Sequence, residues 1–242
     1  MKQLLFVCTT PRTGSSMLRG DIRSTHAMGD PREWFNMSRG RRYYQSIQEW
    51  GIKGGDLDAY IAALKERTAT ANGVVGIKIF ELHLAQLVNK GMIPKGPGRL
   101  RALAERFGTP EPVIITLTRN NKLRQAISFT RAKQTGKWGT QGEAKKQDKY
   151  DRKTIEADLL ELIERENRWD RELEDCGYVP DLDLIYETLM HTREDALLRI
   201  AHALELPDPE GTVAARDIED NRLERQADQR TEAWIDKFIR WK

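Results

Sequence analysis

LLFVCTTPRTGSSMLRG, Leu4 to Gly20, reads as strand, turn and helix in seventeen residues. Leu4-Leu5-Phe6-Val7-Cys8 has the composition of a strand buried on both faces. Pro11 and Gly14 bracket a tight bend, and Gly14 lets the backbone approach a ligand closely. Thr13, Ser15 and Ser16 place hydroxyls beside the free N–H groups at the helix start, and Arg12 adds a fixed positive charge. Together they make an anion cradle of the phosphate-binding type. The Gly-Lys-Ser/Thr ending of a nucleoside triphosphate loop is absent. The plain alternative is an ordinary strand-turn-helix with a polar corner.

Working outward, three more stretches read as strands: Gly73 to Phe80, Pro112 to Thr118 and Leu182 to Tyr186. Helices are predicted between them, at Ser15 to His26, Asp56 to Ala69 with Asp56 as N-cap, Leu82 to Val88 and Arg99 to Phe107. Others are predicted at Lys122 to Gln134, Thr154 to Cys176 and Arg193 to Leu204. This alternation predicts an α/β fold, a central parallel sheet flanked by helices with a P-loop-like strand-turn-helix at its start. Ligands of such sheets sit at the carboxyl ends of the strands, near the switch in strand order. Arg12 after the first strand and Arg119 after the third would then face one crevice and suit a ligand with two separated anions.

Ser38 to Arg42 reads as a solvated basic loop and about 138–150 as a mobile loop, since it holds almost nothing apolar. Over about 226–242, Trp234, Ile235, Phe238 and Trp241 form one apolar face of a helix, expected to pack on the body or, as the second choice, to join two copies as a homodimer.

Forty basic residues against 37 acidic ones leave +3, too balanced for a nucleic-acid binder, so an anion site must come from locally placed arginines. Cys8 and Cys176 show neither metal-ligand nor disulfide-framework spacing, which points to a reducing compartment. The apolar opening is too short for a signal peptide, and no stretch can span a bilayer, so the cytoplasm is the expected location.

The combination resembles the sulfotransferases, most closely the bacterial trehalose 2-sulfotransferase-like branch. The segments that carry it are Thr10-Pro11-Arg12-Thr13-Gly14-Ser15-Ser16 and RNNKLRQAISFTRA from Arg119 to Ala132, followed by Trp138. Gly76-Ile77-Lys78, Tyr186-Glu187-Thr188-Leu189, Pro31-Arg32-Glu33-Trp34-Phe35 and Arg225-Gln226-Ala227-Asp228 extend it over nearly the whole chain, as a single domain of residues 1–242.

The resemblance implies the donor 3′-phosphoadenosine 5′-phosphosulfate, no metal, and a carbohydrate or glycolipid hydroxyl as acceptor. It assigns the 5′-phosphosulfate to Arg12, Thr13, Gly14, Ser15 and Ser16, and the 3′-phosphate to Arg119 with Ser128. Arg12 would be an electrostatic clamp on the leaving phosphate, because a guanidinium does not give up its proton at neutral pH. Glu33 is the general base that the resemblance offers, with His83 as runner-up and His26 below it. Trp34, Phe35, Trp50 and Trp138 are the aromatic side chains available to stack on sugar faces, and six tryptophans in 242 residues equally fit ordinary core use. A small-molecule or nucleotide kinase would need a lysine in the loop and carboxylates for Mg²⁺; Arg12 in the loop and the lack of an Asp at the end of the third strand argue against it. A non-catalytic nucleotide-binding protein is the remaining alternative.

Overall fold

A computed structural model describes residues 1–138, 146–217 and 229–240. Its elements run β1 (Leu4–Thr9), α1 (Ser15–Ser24), α2 (Arg42–Trp50), α3 (Leu57–Thr68), β2 (Val75–Ile79), α4 (Glu81–Asn89), α5 (Arg99–Arg106) and β3 (Val113–Thr118). They continue with α6 (Lys122–Thr135), α7 (Arg152–Cys176), β4 (Leu182–Ile185), α8 (Tyr186–Leu189), α9 (Arg193–Ala203), α10 (Pro209–Ala214) and α11 (Gln229–Ile239).

The four strands form one parallel sheet in the order β2-β1-β3-β4. The chain leaves β1 for β2 on one side and returns to lay β3 on the other. The switch therefore lies between β1 and β3, where Thr9 pairs with Leu117, and a crevice opens there. Every residue of β1 is buried, as its unbroken apolar run requires for a central strand covered on both faces.

Because side chains alternate along a strand, β1 feeds two cores. Leu4, Phe6 and Cys8 join α3, α4, α5 and α7 through Leu64, Leu84, Leu103 and Trp169. Leu5 and Val7 join α1 and α9 through Leu18, Ile22 and Ile200. At the edge, β4 buries Leu182 and Leu184 and exposes Asp183 and Ile185, the alternation of a strand with one open face.

Asp56 caps α3 as predicted, accepting the Ala59 N–H at 2.9 Å. Three short helices were not predicted. α8 follows β4 without a break, and α10 starts at Pro209 behind the cap Asp208. α2 begins within the basic patch that reads as a solvated loop, and it buries Tyr43 and Ser46 against the core. Among the described residues, no helix is long and apolar enough to cross a membrane.

The tail stripe packs on its own chain. Trp234 is buried against Phe129, Ile127 and Ile155, with Ile235 and Phe238 at the edge of the same cluster. Arg124 pairs with Glu232, and Arg131 donates to the Thr231 hydroxyl at 2.6 Å. Trp241, the segment Arg225-Gln226-Ala227-Asp228 and residues 139–145 of the predicted mobile loop lie outside the described residues. Trp234→Ala should lower the unfolding free energy by about 3–5 kcal/mol in urea titrations, the usual cost of truncating a buried aromatic residue. Unchanged stability with a shift to smaller species on sizing would instead make the tail an interface between copies.

Candidate active site

The turn from Thr9 to Gly14 is built before any ligand arrives. Arg12 and Gly14 both adopt left-handed backbone, with φ 67° and 86°. Such a conformation is uncommon for a residue other than glycine and concentrates at functional sites. Gly14 is the N-cap of α1, and neither a capping side chain nor an acidic residue occupies the first turn. The N–H groups at the helix start and the positive end of its dipole therefore face the crevice. A Cβ on Gly14 would stand 2.3 Å from Tyr186 Cδ2, so no larger residue fits between the turn and that ring.

Neighbouring elements pin the turn. Thr9 and Thr13 hydroxyls are 2.7 Å apart, and Thr13 donates to the Thr10 carbonyl at 3.1 Å. From α6, the Gln125 amide donates to Thr10 Oγ1 at 3.0 Å and to the Pro11 carbonyl at 2.8 Å. From α7, Trp169 Nε1 donates to the Thr9 carbonyl at 2.9 Å. The sequence reading did not single out Gln125 or Trp169 for the site. The signal for Gln125 was a polar side chain one turn before Phe129 on the buried face of α6.

Both predicted arginines reach the switch crevice. Arg12 Nε donates to Ser128 Oγ at 2.9 Å, and its Nη1 to the Trp138 carbonyl at 2.6 Å. Arg119 Nη1 donates to the Arg12 carbonyl at 3.2 Å, and its guanidinium lies 4.6 Å from the centre of the Tyr186 ring. The left-handed turn carries the Arg12 side chain towards α6, where it meets Ser128, so Arg12, Ser128 and Arg119 gather at one end of the crevice.

Arg119 Nε is buried without a hydrogen bond, 3.8 Å from Glu187 Oε1. Burial, then Arg119 and Arg131, bring the Arg12 guanidinium down to about 10, still fully charged at neutral pH. Burial also lowers Arg119, while Tyr186 and Glu187 act against it.

Glu33 sits across from Ser16, on a loop stitched to β2. Arg32 bridges Ile77, and the Lys78 N–H donates to the Arg32 carbonyl at 2.9 Å. Gly29 lets the loop pass this close, since a Cβ there would stand 2.5 Å from the Gly76 nitrogen. Lys78, almost fully buried, places its ammonium 3.0 Å from Glu33 Oε1, and Asn36 donates to Oε2 at 2.8 Å. Burial pushes the Glu33 carboxyl up, but Lys78, His83 and the Asn36 hydrogen bond outweigh it and hold it at about 2.

His83 is buried, and its Nδ1 accepts the Phe80 N–H at 3.2 Å, which leaves the proton on Nε2. Burial, with Lys78 and Arg165 against Glu33, lowers it to about 4. It is a neutral donor at pH 7, with no lone pair to take a proton from an acceptor.

Glu33 and Lys78 share an open pocket of about 270 Å³ with Ser16, beside Arg19, Arg32 and the start of α2. The first turn of α1, through Ser16, and the carboxylate therefore face one space. The aromatic side chains expected there are mostly elsewhere: Trp34 and Phe35 are buried in the core, and Trp50 stacks on Tyr60 at 5.6 Å. Trp138 is the exposed one of the four.

A family model for Stf0 sulphotransferase matches residues 5–240. The chain belongs to the Stf0 sulphotransferase family. It is similar to trehalose 2-sulfotransferase of Mycobacterium tuberculosis (strain Erdman), 28% identical over 96% of this chain and 92% of that protein. It is likewise similar to trehalose 2-sulfotransferase of Mycolicibacterium smegmatis, 26% identical over 97% of this chain and 93% of that protein. The solved sulfotransferase STF1 of Mycobacterium tuberculosis H37Rv aligns at 14% identity and a TM-score of 0.36, over 98% of this chain and 76% of that one. Membership of the sulphotransferase family makes the chain an enzyme of sulfuryl transfer.

Proposed function

We propose that the enzyme moves the sulfuryl group of 3′-phosphoadenosine 5′-phosphosulfate to a hydroxyl of a carbohydrate or glycolipid. One observation supports this most: the left-handed turn, Arg12 and Arg119 meet at the β1–β3 switch, and Ser16, on the helix that the turn opens, lines the pocket that holds Glu33. The site fits a bis-anionic nucleotide, because the start of α1 carries no capping side chain and Arg119 Nε is buried with a hydrogen bond still to make. When bound, the donor supplies an activated sulfuryl group on a phosphate leaving group.

In this reading the Thr13–Ser16 backbone and hydroxyls hold the 5′-phosphosulfate at the positive end of α1. Arg119 with Ser128 takes the 3′-phosphate, and Arg12, which reaches across to Ser128, clamps the 5′-phosphate from which the sulfuryl group leaves. As the acceptor oxygen bonds to sulfur and the bond from sulfur to the phosphate oxygen breaks, negative charge grows on that leaving oxygen. Donors already aimed there lower the barrier, each typically by about 10²–10³ in rate. Glu33 takes the proton of the acceptor hydroxyl.

The test is transfer of radiolabelled sulfate from the donor to a panel of sugars, trehalose first because the relatives act on it by name. Transfer to none of them, with the nucleotide still bound, would leave a binding protein. Full activity is expected after exhaustive chelation, since arginines and backbone donors carry the charge. Strict dependence on Mg²⁺ would favour a kinase.

A further inference from the structure

The pocket beside Glu33 has an unusual lining. Five cationic side chains reach it, Arg19, Arg32, Arg41, Arg42 and Lys78, against Glu33 as the one carboxylate of the lining. None of the lining residues offers an apolar or aromatic side chain, so a sugar ring finds no stacking platform there.

The cations are held in place. Arg19 makes a fork to both oxygens of Asp30, at 2.6 and 2.9 Å, and Arg32 Nε adds a third contact at 2.7 Å. Arg42 lies 4.8 Å and Arg32 5.8 Å from the centre of the Trp34 ring, so the buried indole supports guanidiniums instead of substrate. Glu33 compensates Lys78, and Asp30 compensates the Arg19–Arg32 pair only in part.

Among the described residues, Arg41 and Arg42 remain with little counter-charge. Arg42 Nη2 stands 3.6 Å from Glu49, and its buried Nε makes no hydrogen bond. Arg41 is exposed, 5.8 Å from the Trp138 ring centre. Two arginines also open α2, where a helix favours the opposite sign, so packing an anion between them relieves a local repulsion.

We propose that the acceptor is an anionic one: the sulfated hydroxyl belongs to a molecule that also bears a phosphate-type group, which Arg41 and Arg42 bind. This rests on the sulfotransferase reading for the hydroxyl but not for the anion. Arg41 and Arg42 are specificity residues, and the tied arginines on the other wall fix the pocket's sign.

Calorimetry with glucose and glucose 6-phosphate tests it, in the presence of saturating adenosine 3′,5′-bisphosphate so that the donor site is filled. The phosphorylated sugar should bind roughly ten- to a hundredfold more tightly, the worth of a charge-assisted contact or two. That preference should shrink with rising salt and largely vanish in R41Q/R42Q. Equal binding of the two sugars, undetectable binding of both included, overturns the proposal, as does a preference that survives in the double variant. Should the bisphosphate itself fail to bind, the donor reading falls, and the same sugar comparison without nucleotide still decides this one.

Discussion

Glu33→Gln should cut sulfate transfer by about 10²–10⁴, the usual cost of losing a general base, while nucleotide affinity stays near wild type. Glutamine keeps the shape and removes the basicity, and its single carbonyl oxygen can still accept from Lys78 or from Asn36. The structure places the loss near the lower end of that range. A carboxylate held at about 2 is a weak base for a hydroxyl, so it takes the proton late, after the forming bond to sulfur has acidified the acceptor.

The pH profile carries the signature. In the wild type, the acidic limb due to Glu33 lies near pH 2, so kcat/KM should be flat on that side across the range where the protein is folded. Lys78→Met removes the ammonium at 3.0 Å, leaving burial as the dominant influence, and burial raises a carboxyl. The base form is then lost at higher pH, and the limb should move up into the measurable range. A loss confined to His83→Ala, with Glu33→Gln near wild type, would transfer the role to histidine. Wild-type rates in both would mean that no protein base is used.

Arg119→Ala should abolish the preference for adenosine 3′,5′-bisphosphate over adenosine 5′-monophosphate. Removing one partner of a buried charged pair costs about 2–5 kcal/mol, roughly thirty- to several-thousand-fold in affinity. The side chain is well placed for that effect: its guanidinium is stacked on Tyr186, bonded to the Arg12 carbonyl, and left with a buried free Nε. Fold stability should fall little, because no large apolar surface is exposed. A wild-type protein that binds the two nucleotides equally would remove the 3′-phosphate from this site. Arg12→Lys should weaken binding too, since a point charge cannot reach Ser128 and the Trp138 carbonyl together.

The sheet was legible because its strands are apolar runs whose burial leaves few alternatives. The turn was legible because Pro11, Gly14 and the hydroxyls have local jobs. What escaped is three-dimensional. The resemblance put Ser128 beside Arg119 at one phosphate, and only the left-handed backbone at Arg12 shows that the Arg12 guanidinium also reaches Ser128. α2 was missed because Arg41 and Arg42 give the wrong charge for a helix start, and its buried face is carried by Tyr43 and the small Ser46. Aromatic residues were equally mute about direction: Trp34 and Phe35 are core, and the sequence around them resembles what an exposed sugar platform would show.

The pinning of the Thr9–Gly14 turn sets the heat and entropy of nucleotide capture. Ordering a free backbone costs about 1–2 kcal/mol per residue. Here Gln125, Trp169 and the Thr9–Thr13 contact have fixed those residues during folding. Capture should therefore proceed with little loss of chain motion. Affinity for the donor then varies with the charge on the nucleotide far more than with anything that stiffens the chain.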